Sequence, residues 1–196
     1  QAADILAYGA DVVPVGRDQL PHLEVTREIA RRFNNLYDPV FPEPQGRLGE
    51  FPAVPGLDGR KMSKSYNNSI ELADSPDTIR QKLRGMFTDP AKLRRGDPGH
   101  PDICAVFALH RIYSPPERLS AIEAQCKSGE LGCVACKQEL AENLITALAP
   151  IHERRAELDK NRDHVRQVLG EGAKRAQVAA EETLRIVRKA MKLPAR

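Results

Sequence analysis

The stretch that most constrains the fold is Val12-Val13-Pro14-Val15, a β-branched run that stops at Gly16 and gives way to helical spacing from Pro21 onward. β-Branched residues favour a pleated strand, and a glycine lets the backbone turn sharply where the strand ends. The pattern predicts an α/β unit: a buried strand over Val12–Val15, a turn at Gly16, then a helix to about Phe33. Leu20, Leu23, Ala30 and Phe33 form the helix's apolar stripe, and Asn34-Asn35 is expected to end it. Open α/β sheets take ligands at the carboxyl ends of parallel strands. Gly16, Arg17, Asp18 and Gln19 are therefore candidate binding residues. Asp18 also suits a helix N-cap ahead of Pro21.

Ahead of the strand, residues 2–8 read as a short helix ended by Gly9, with Asp4 among small and apolar neighbours. A carboxylate in such company needs a partner, either as a capping or core-edge group or as the acceptor for a ligand's N–H. Residues 36–60 are rich in proline and glycine and predict short strands and turns. Ser75-Pro76-Asp77 is a helix start, with Ile79, Leu83 and Met86 as the buried face of a helix that anchors the loop before it. Residues 88–102 are loop-like, and a domain boundary is placed just ahead of them, dividing the chain into 1–87 and 88–196. Beyond it the pattern is helical. Leu140, Leu144 and Leu148 recur until Pro150, and Ala176, Ala180, Leu184, Val187 and Met191 line the last helix. Both stripes read as core.

Chemistry concentrates in Gly56-Leu57-Asp58-Gly59-Arg60-Lys61-Met62-Ser63-Lys64-Ser65. Lysines interleaved with serines on a loop can wrap a polyphosphate, offering mobile positive charge and hydroxyl donors as charge shifts during a displacement. A solvated basic loop is the commoner meaning of such a run. Here Lys61–Ser65 spells all five letters of the KMSKS signature of class I aminoacyl-tRNA synthetases. With Gln1-Ala2-Ala3-Asp4-Ile5-Leu6 and Gly16-Arg17-Asp18-Gln19 upstream, the chain resembles the tryptophanyl-tRNA synthetases over essentially its whole length.

The resemblance implies an α/β fold: the C-terminal half of a Rossmann-type catalytic domain, followed by an α-helical anticodon-binding domain. It implies activation of tryptophan with ATP and transfer to tRNA(Trp), in an enzyme that is a homodimer at full length. Carried onto this sequence, Asp4 accepts the indole N–H, Val13 and Val15 line the tryptophan site, and Gln19 lies near the amino acid's ammonium. Gly16, Arg17 and Asp18 serve ATP, with Asp18 on the ribose, and Val54 meets adenine. Lys61 and Lys64 are catalytic, Met62, Ser63 and Ser65 complete the ATP-binding loop, and Mg2+ arrives with the nucleotide. The family's H-x-G-H element is absent, so Gln1 reads as an internal residue and the chain alone is expected not to activate tryptophan. The alternatives are a tyrosyl-tRNA synthetase-like enzyme and a non-catalytic tRNA-binding fragment.

Composition adds only boundaries. A net charge of +3 with both signs interspersed leaves RNA binding to rest on the resemblance. No apolar run approaches the roughly 20 residues that span a bilayer, and no signal-peptide layout opens the chain, so a cytoplasmic protein with no membrane partner is expected. In that setting Cys104, Cys126, Cys133 and Cys136, spaced C-x21-C-x6-C-x2-C, point to a metal or cluster more than to disulfides. Zinc and a [4Fe-4S] cluster both accept four thiolates, and free thiols are the third reading. The resemblance favours the cluster, because a subset of bacterial tryptophanyl-tRNA synthetases holds a [4Fe-4S] group on a pattern one residue longer in its first interval.

Overall fold

The computed structural model describes residues 1–51 and 53–194; Pro52, part of the turn-rich stretch, lies outside them. Two compact units emerge, Gln1–Pro52 with Asn161–Arg196, and Ala53–Lys160.

The first unit is built on the anticipated strand-turn-helix. Helix α1 (Ala2–Leu6) buries Ile5 and Leu6, and Gly9 turns the chain at φ +56°. Strand β1 (Val12–Val15) is followed by a 3-10 turn, Arg17–Gln19, and helix α2 (Leu20–Leu36); strand β2 (Gln45–Leu48) then pairs with β1 in parallel, Val13 opposite Gly46 and Val15 opposite Leu48. This is a β-α-β unit, and a side chain at Gly46 would meet Leu20 Cδ2 at 2.9 Å, so helix and strand pack with no room for one.

Four expectations need correction here. Strand β1 is not buried: Val12 is 53% exposed and burial alternates along the strand, because a two-stranded sheet leaves open faces and edges. Helix α2 does not stop at Asn34-Asn35 but runs on to Leu36. Asn34 instead turns its side chain on the returning chain, accepting from the N–H groups of Val40 (2.9 Å) and Phe41 (3.0 Å) and donating to the Phe41 carbonyl (2.7 Å). Nor is Asp18 a helix cap; Gly16 occupies that place before the 3-10 turn, and Asp18 lies within it. The last helix, α7 (Arg162–Ala190), belongs to this unit and buries none of its residues. Its stripe is half-buried at Ala176, Ala180, Val187 and Met191, while Leu184 points outward and Thr183 takes the inner position, donating to the Ala7 carbonyl at 2.7 Å.

The second unit holds the main core. Helix α3 (Pro76–Arg84) is capped by Ser75, whose hydroxyl accepts from Thr78 N–H at 3.2 Å. Helices α4 (Ala105–Tyr113), α5 (Pro116–Lys127) and α6 (Cys133–Lys160) follow. Ile79, Leu83 and Met86 pack with Leu140, Leu144 and Leu148 and with Val106 and Leu109 of α4, as the two stripes required. Pro150 does not end α6 as expected. A proline costs the helix one backbone bond and a kink; beyond it the helix is tied by His152, whose Nε2–H donates to the Leu72 carbonyl at 2.9 Å. Because Leu140 is fully buried in this seam, Leu140→Ala should lower unfolding free energy by about 2–5 kcal/mol in denaturant titration. A loss under about 1 kcal/mol, outside that range, would show that the seam collapses without cost.

Candidate functional site

The ten-residue stretch from Gly56 folds as a tight hairpin continued by a 3-10 turn. Met62 N–H donates to the Val54 carbonyl at 2.9 Å, Pro55 and Lys61 form an antiparallel bridge, and Gly56 N–H donates to the Arg60 carbonyl at 2.7 Å. Gly59, at φ +82°, makes the tip. Asp58 accepts from Arg60 N–H (3.0 Å) and Nε (2.7 Å). The Asn68 amide, aided by Arg60 and opposed by partial desolvation, holds the Asp58 carboxyl below its ordinary range. Past the hairpin, Ser63 and Ser65 share a hydroxyl bond of 2.8 Å, Lys64–Tyr66 form the turn, and the Arg60 guanidinium lies 4.6 Å from the Tyr66 ring centroid. Lys61 and Lys64 are exposed. The loop is therefore shaped by its own hydrogen bonds while presenting both ammonium groups. Asn68, buried beneath it, was not singled out from sequence; its position three residues past the signature reads there as ordinary loop tail.

In the other unit, Gly16 is extended and half-buried at the carboxyl end of β1, and Gln19 N–H returns to its carbonyl at 3.0 Å. Arg17 and Asp18 are exposed, and Gln19 Nε2 donates to Asp18 Oδ2 at 2.8 Å. Val13 and Val15 share the half-buried face of β1. Asp4 is in the first turn of α1, its side chain 88% exposed. The sequence-predicted residues thus divide: Asp4, Val13, Val15 and Gly16–Gln19 in one unit, Val54 and Lys61–Ser65 in the other.

All four cysteines line one cavity, supplied by helix ends. Cys104 precedes α4, Cys126 lies in the last turn of α5, and Cys133 and Cys136 open α6. None is in a disulfide, and the other lining residues are Val106, Phe107, Ile122 and Leu131 together with Thr88, Asp89 and Lys92. Burial first, then the facing thiols of Cys104, Cys126 and Cys133, push Cys136 up to about 12. Burial also raises Cys126, partly offset by the ammonium of Lys92, a buried lysine whose Nζ donates to the Cys126 carbonyl at 3.2 Å. Gly99 must be glycine, since a Cβ there would lie 2.5 Å from Cys126 Sγ. His110, fully buried, lies against Cys136. The Cys136 carbonyl can only accept, so His110 Nε2 carries the proton and donates to it (3.1 Å), with Cys136 Sγ at 3.4 Å. Ser114 Oγ then donates to Nδ1 at 2.6 Å while accepting from Asn143 Nδ2 at 2.9 Å. Lys92 and His110 carry no sequence signal beyond being a lysine in a loop and a histidine on an apolar helix. Among the described residues, no three His, Cys, Asp or Glu side chains are arranged to hold a single metal ion.

A family model described as tRNA synthetases class I (W and Y) matches residues 1–149. The chain is 51% identical over 99% of its length to a tryptophan--tRNA ligase of Aquifex aeolicus, covering 49% of that protein. With the corresponding ligase of Thermotoga maritima it shares 48% identity over 98% of its length, covering 59% of that protein. Among solved structures, tryptophanyl-tRNA synthetase of Campylobacter jejuni, complexed with ADP and tryptophan, superposes with a TM-score of 0.78 at 30% identity, over 98% of this chain and 60% of that one. The chain thus spans about half to three fifths of the length of the curated relatives it matches.

Beside the cysteine cavity, Asp89 offers a pH test. Burial raises its carboxyl, but bonds from Ala91 N–H (2.8 Å) and from the ring and backbone N–H of His100 (both 2.8 Å) outweigh it, so the group titrates below its ordinary value. A carboxyl lowered by folding contributes stability that is present above its unfolded pKa, about 4, and is lost as pH falls through the folded value. Thermal midpoints should therefore fall below about pH 4, and Asp89→Asn should be destabilised at neutral pH but show a shallower acid slope. Parallel acid slopes for the two proteins would remove Asp89 from the account.

Proposed function

The chain belongs to the class I tRNA synthetases of the tryptophan and tyrosine group, and from that membership we propose that it is the C-terminal portion of a tryptophan–tRNA ligase. The observation that carries the choice of amino acid is the 51% identity, over nearly the whole chain, to a ligase named for tryptophan. In this reading residues 1–87 belong to the catalytic domain and residues 88–196 bind the anticodon end of tRNA(Trp), in a cytoplasmic homodimer.

The reaction is in-line attack of the tryptophan carboxylate on the α-phosphate of ATP, releasing pyrophosphate, followed by transfer of the aminoacyl group to tRNA. No covalent intermediate with the protein is needed, so catalysis is positioning and charge stabilisation. Lys61 and Lys64 steady the negative charge that builds on the leaving pyrophosphate, with Met62, Ser63 and Ser65 shaping the phosphate loop and Val54 meeting adenine. Gly16 and Arg17 contribute to the nucleotide site and Asp18 binds the ribose hydroxyls. Gln19 binds the amino acid's ammonium, Asp4 accepts the indole N–H, and Val13 and Val15 flank the ring. Mg2+ comes with the nucleotide. The exposure of Lys61, Lys64, Asp18 and Asp4 supports these roles, since a ligand must be able to reach each of them.

We propose further that Cys104, Cys126, Cys133 and Cys136 hold a [4Fe-4S] cluster. What supports this is the donor set: four thiols are among the residues lining one cavity, and a cluster takes one thiolate on each iron, so the sulfurs need not crowd one ion as zinc would require. Lys92 offsets part of the thiolate charge. Such a group would cross-link the ends of α4, α5 and α6.

Two measurements test these readings. In the catalytically complete enzyme, Lys64→Ala should lower kcat for tryptophan-dependent ATP/pyrophosphate exchange far more than it raises KM for ATP, because the charge it meets develops only in the transition state. A change confined to KM would make Lys64 a plain binding group, and exchange with tyrosine instead of tryptophan would overturn the amino-acid assignment. Anaerobically purified protein should be brown, with broad absorbance near roughly 400 nm and about four irons per chain, lost in Cys126→Ser, Cys133→Ser and Cys136→Ser. Stoichiometric zinc without iron would make the site a structural zinc centre, and four titratable thiols with neither metal would reject it.

A further inference from the structure

We propose that Asn68 is a positioning residue for the two lysines of the signature loop, clamping the backbone on both sides of Met62 so that Lys61 and Lys64 are presented from a fixed frame; this rests on the catalytic role assigned to those lysines above. Asn68 is 2% exposed. Its Oδ1 accepts from Ser63 N–H at 2.8 Å, and its Nδ2 donates to the Lys61 carbonyl at 3.1 Å and to Asp58 Oδ1 at 2.7 Å. The orientation of the amide is fixed by chemistry: Ser63 N–H can only donate, whereas the Lys61 carbonyl and an ionised Asp58 can only accept. One side chain therefore holds the peptide groups immediately before and after Met62, and ties both to the tip of the hairpin through Asp58.

The backbone around Asn68 is arranged to allow this. Asn67 adopts the left-handed conformation at φ 51°, turning the chain back beneath the loop, a state that asparagine tolerates better than most residues. The Asn68 carbonyl accepts from Leu57 N–H at 2.8 Å, and the Leu57 carbonyl accepts from Phe87 N–H at 2.7 Å, linking the clamp to the end of α3. Gly56 is pressed against it, since a Cβ there would lie 2.3 Å from Asn68 Nδ2. No residue but asparagine supplies this acceptor and these two donors at this reach. Glutamine is one carbon too long for the space, and aspartate lacks both donors.

A residue that only stabilises the loop and one that acts through the lysines differ in a double-mutant cycle. The catalytically complete enzyme is compared as wild type, Asn68→Ala, Lys64→Ala and the double variant, by tryptophan-dependent pyrophosphate exchange with ATP varied. Asn68→Ala alone should lower kcat roughly 10- to 100-fold, the scale of losing a group's alignment, while KM for ATP changes less than about threefold. In the Lys64→Ala background the same substitution should cost less than about threefold, because the charge it positions is already gone. Asn68→Asp would bury a second carboxyl against Asp58 and the Lys61 carbonyl and should lower the melting temperature as well as kcat. Asn68→Ser, small and uncharged, therefore decides the matter if Asn68→Ala does not fold: it should lower kcat by a similar factor with KM for ATP changed less than about threefold. Losses that multiply in the double variant, or an effect confined to KM, would overturn the proposal while leaving the functional reading intact. Wild-type enzyme without tryptophan-dependent exchange would overturn the functional reading and this proposal with it.

Discussion

The apolar seam between α3 and α6 is the constraint on which the second unit depends. Ile79 and Leu83, fully buried, meet Leu140 and Leu144, and the same cluster touches Val54 and Leu57 on one flank and Cys104 and Cys136 on the other. The hairpin carrying the lysines and the cavity carrying the thiols are thus both built against one packed core. Interiors are close-packed and transmit strain, so neither can shift far while the seam is intact. Ser75 fixes where α3 begins, and Phe87, just past its end, holds the Leu57 carbonyl, so the hairpin is tied to the C-terminal side of that helix. Lys82 in its last turn adds a second tie, donating to the Ser69 carbonyl at 3.0 Å.

What the sequence disclosed follows from the kind of signal each feature carries. The Leu140, Leu144, Leu148 repeat and the Ser75-Pro76-Asp77 start are local patterns, and the structure bears both out because a period or a cap is written in adjacent letters. The β1 position was equally plain, but its burial was not: β-branched residues signal a strand, whereas cover for its faces comes from other elements, and Val12 has none in a two-stranded sheet. Helix α6 outran Pro150 because the penalty of one missing hydrogen bond is set against contacts made far along the chain, such as His152 with Leu72. Similarly, Leu184 looked like core from its spacing, yet Thr183 faces inward, where it bonds to Ala7 from across the sequence.

The candidate site divides the same way. KMSKS and the four cysteines are visible as letters, since their chemistry demands particular residue types. The groups that arrange them are not. Asn68, Asp58, Lys92 and His110 act through hydrogen bonds to backbone or to one another, and their sequence neighbours give no hint of the partner. Glycines belong to this hidden class: Gly56 and Gly99 look like ordinary loop residues until a Cβ is placed on each, where it would meet Asn68 at 2.3 Å and Cys126 at 2.5 Å. A close approach, not a positive φ, is what requires them.

The two polar centres of the second unit solve opposite electrostatic problems with the same core. At the loop, Lys61 and Lys64 are exposed while the neutral amide of Asn68 takes the buried place beneath them, an arrangement that suits the polyphosphate role proposed for the two lysines. An amide can hold the backbone without adding charge that would compete for the lysines, and Asp58, the one anion it contacts, is already engaged by Arg60. At the cysteines, burial instead penalises the thiolates of Cys126 and Cys136, and the charge of the neighbouring cysteines adds to it. There Lys92 opposes part of the penalty at Cys126, while His110 holds the Cys136 carbonyl through its Nε2–H, with Ser114 and Asn143 behind its other nitrogen. All four thiols line one cavity at the helix ends, and the [4Fe-4S] cluster proposed above, which takes one thiolate on each iron, would relieve the charge they gain on ionising.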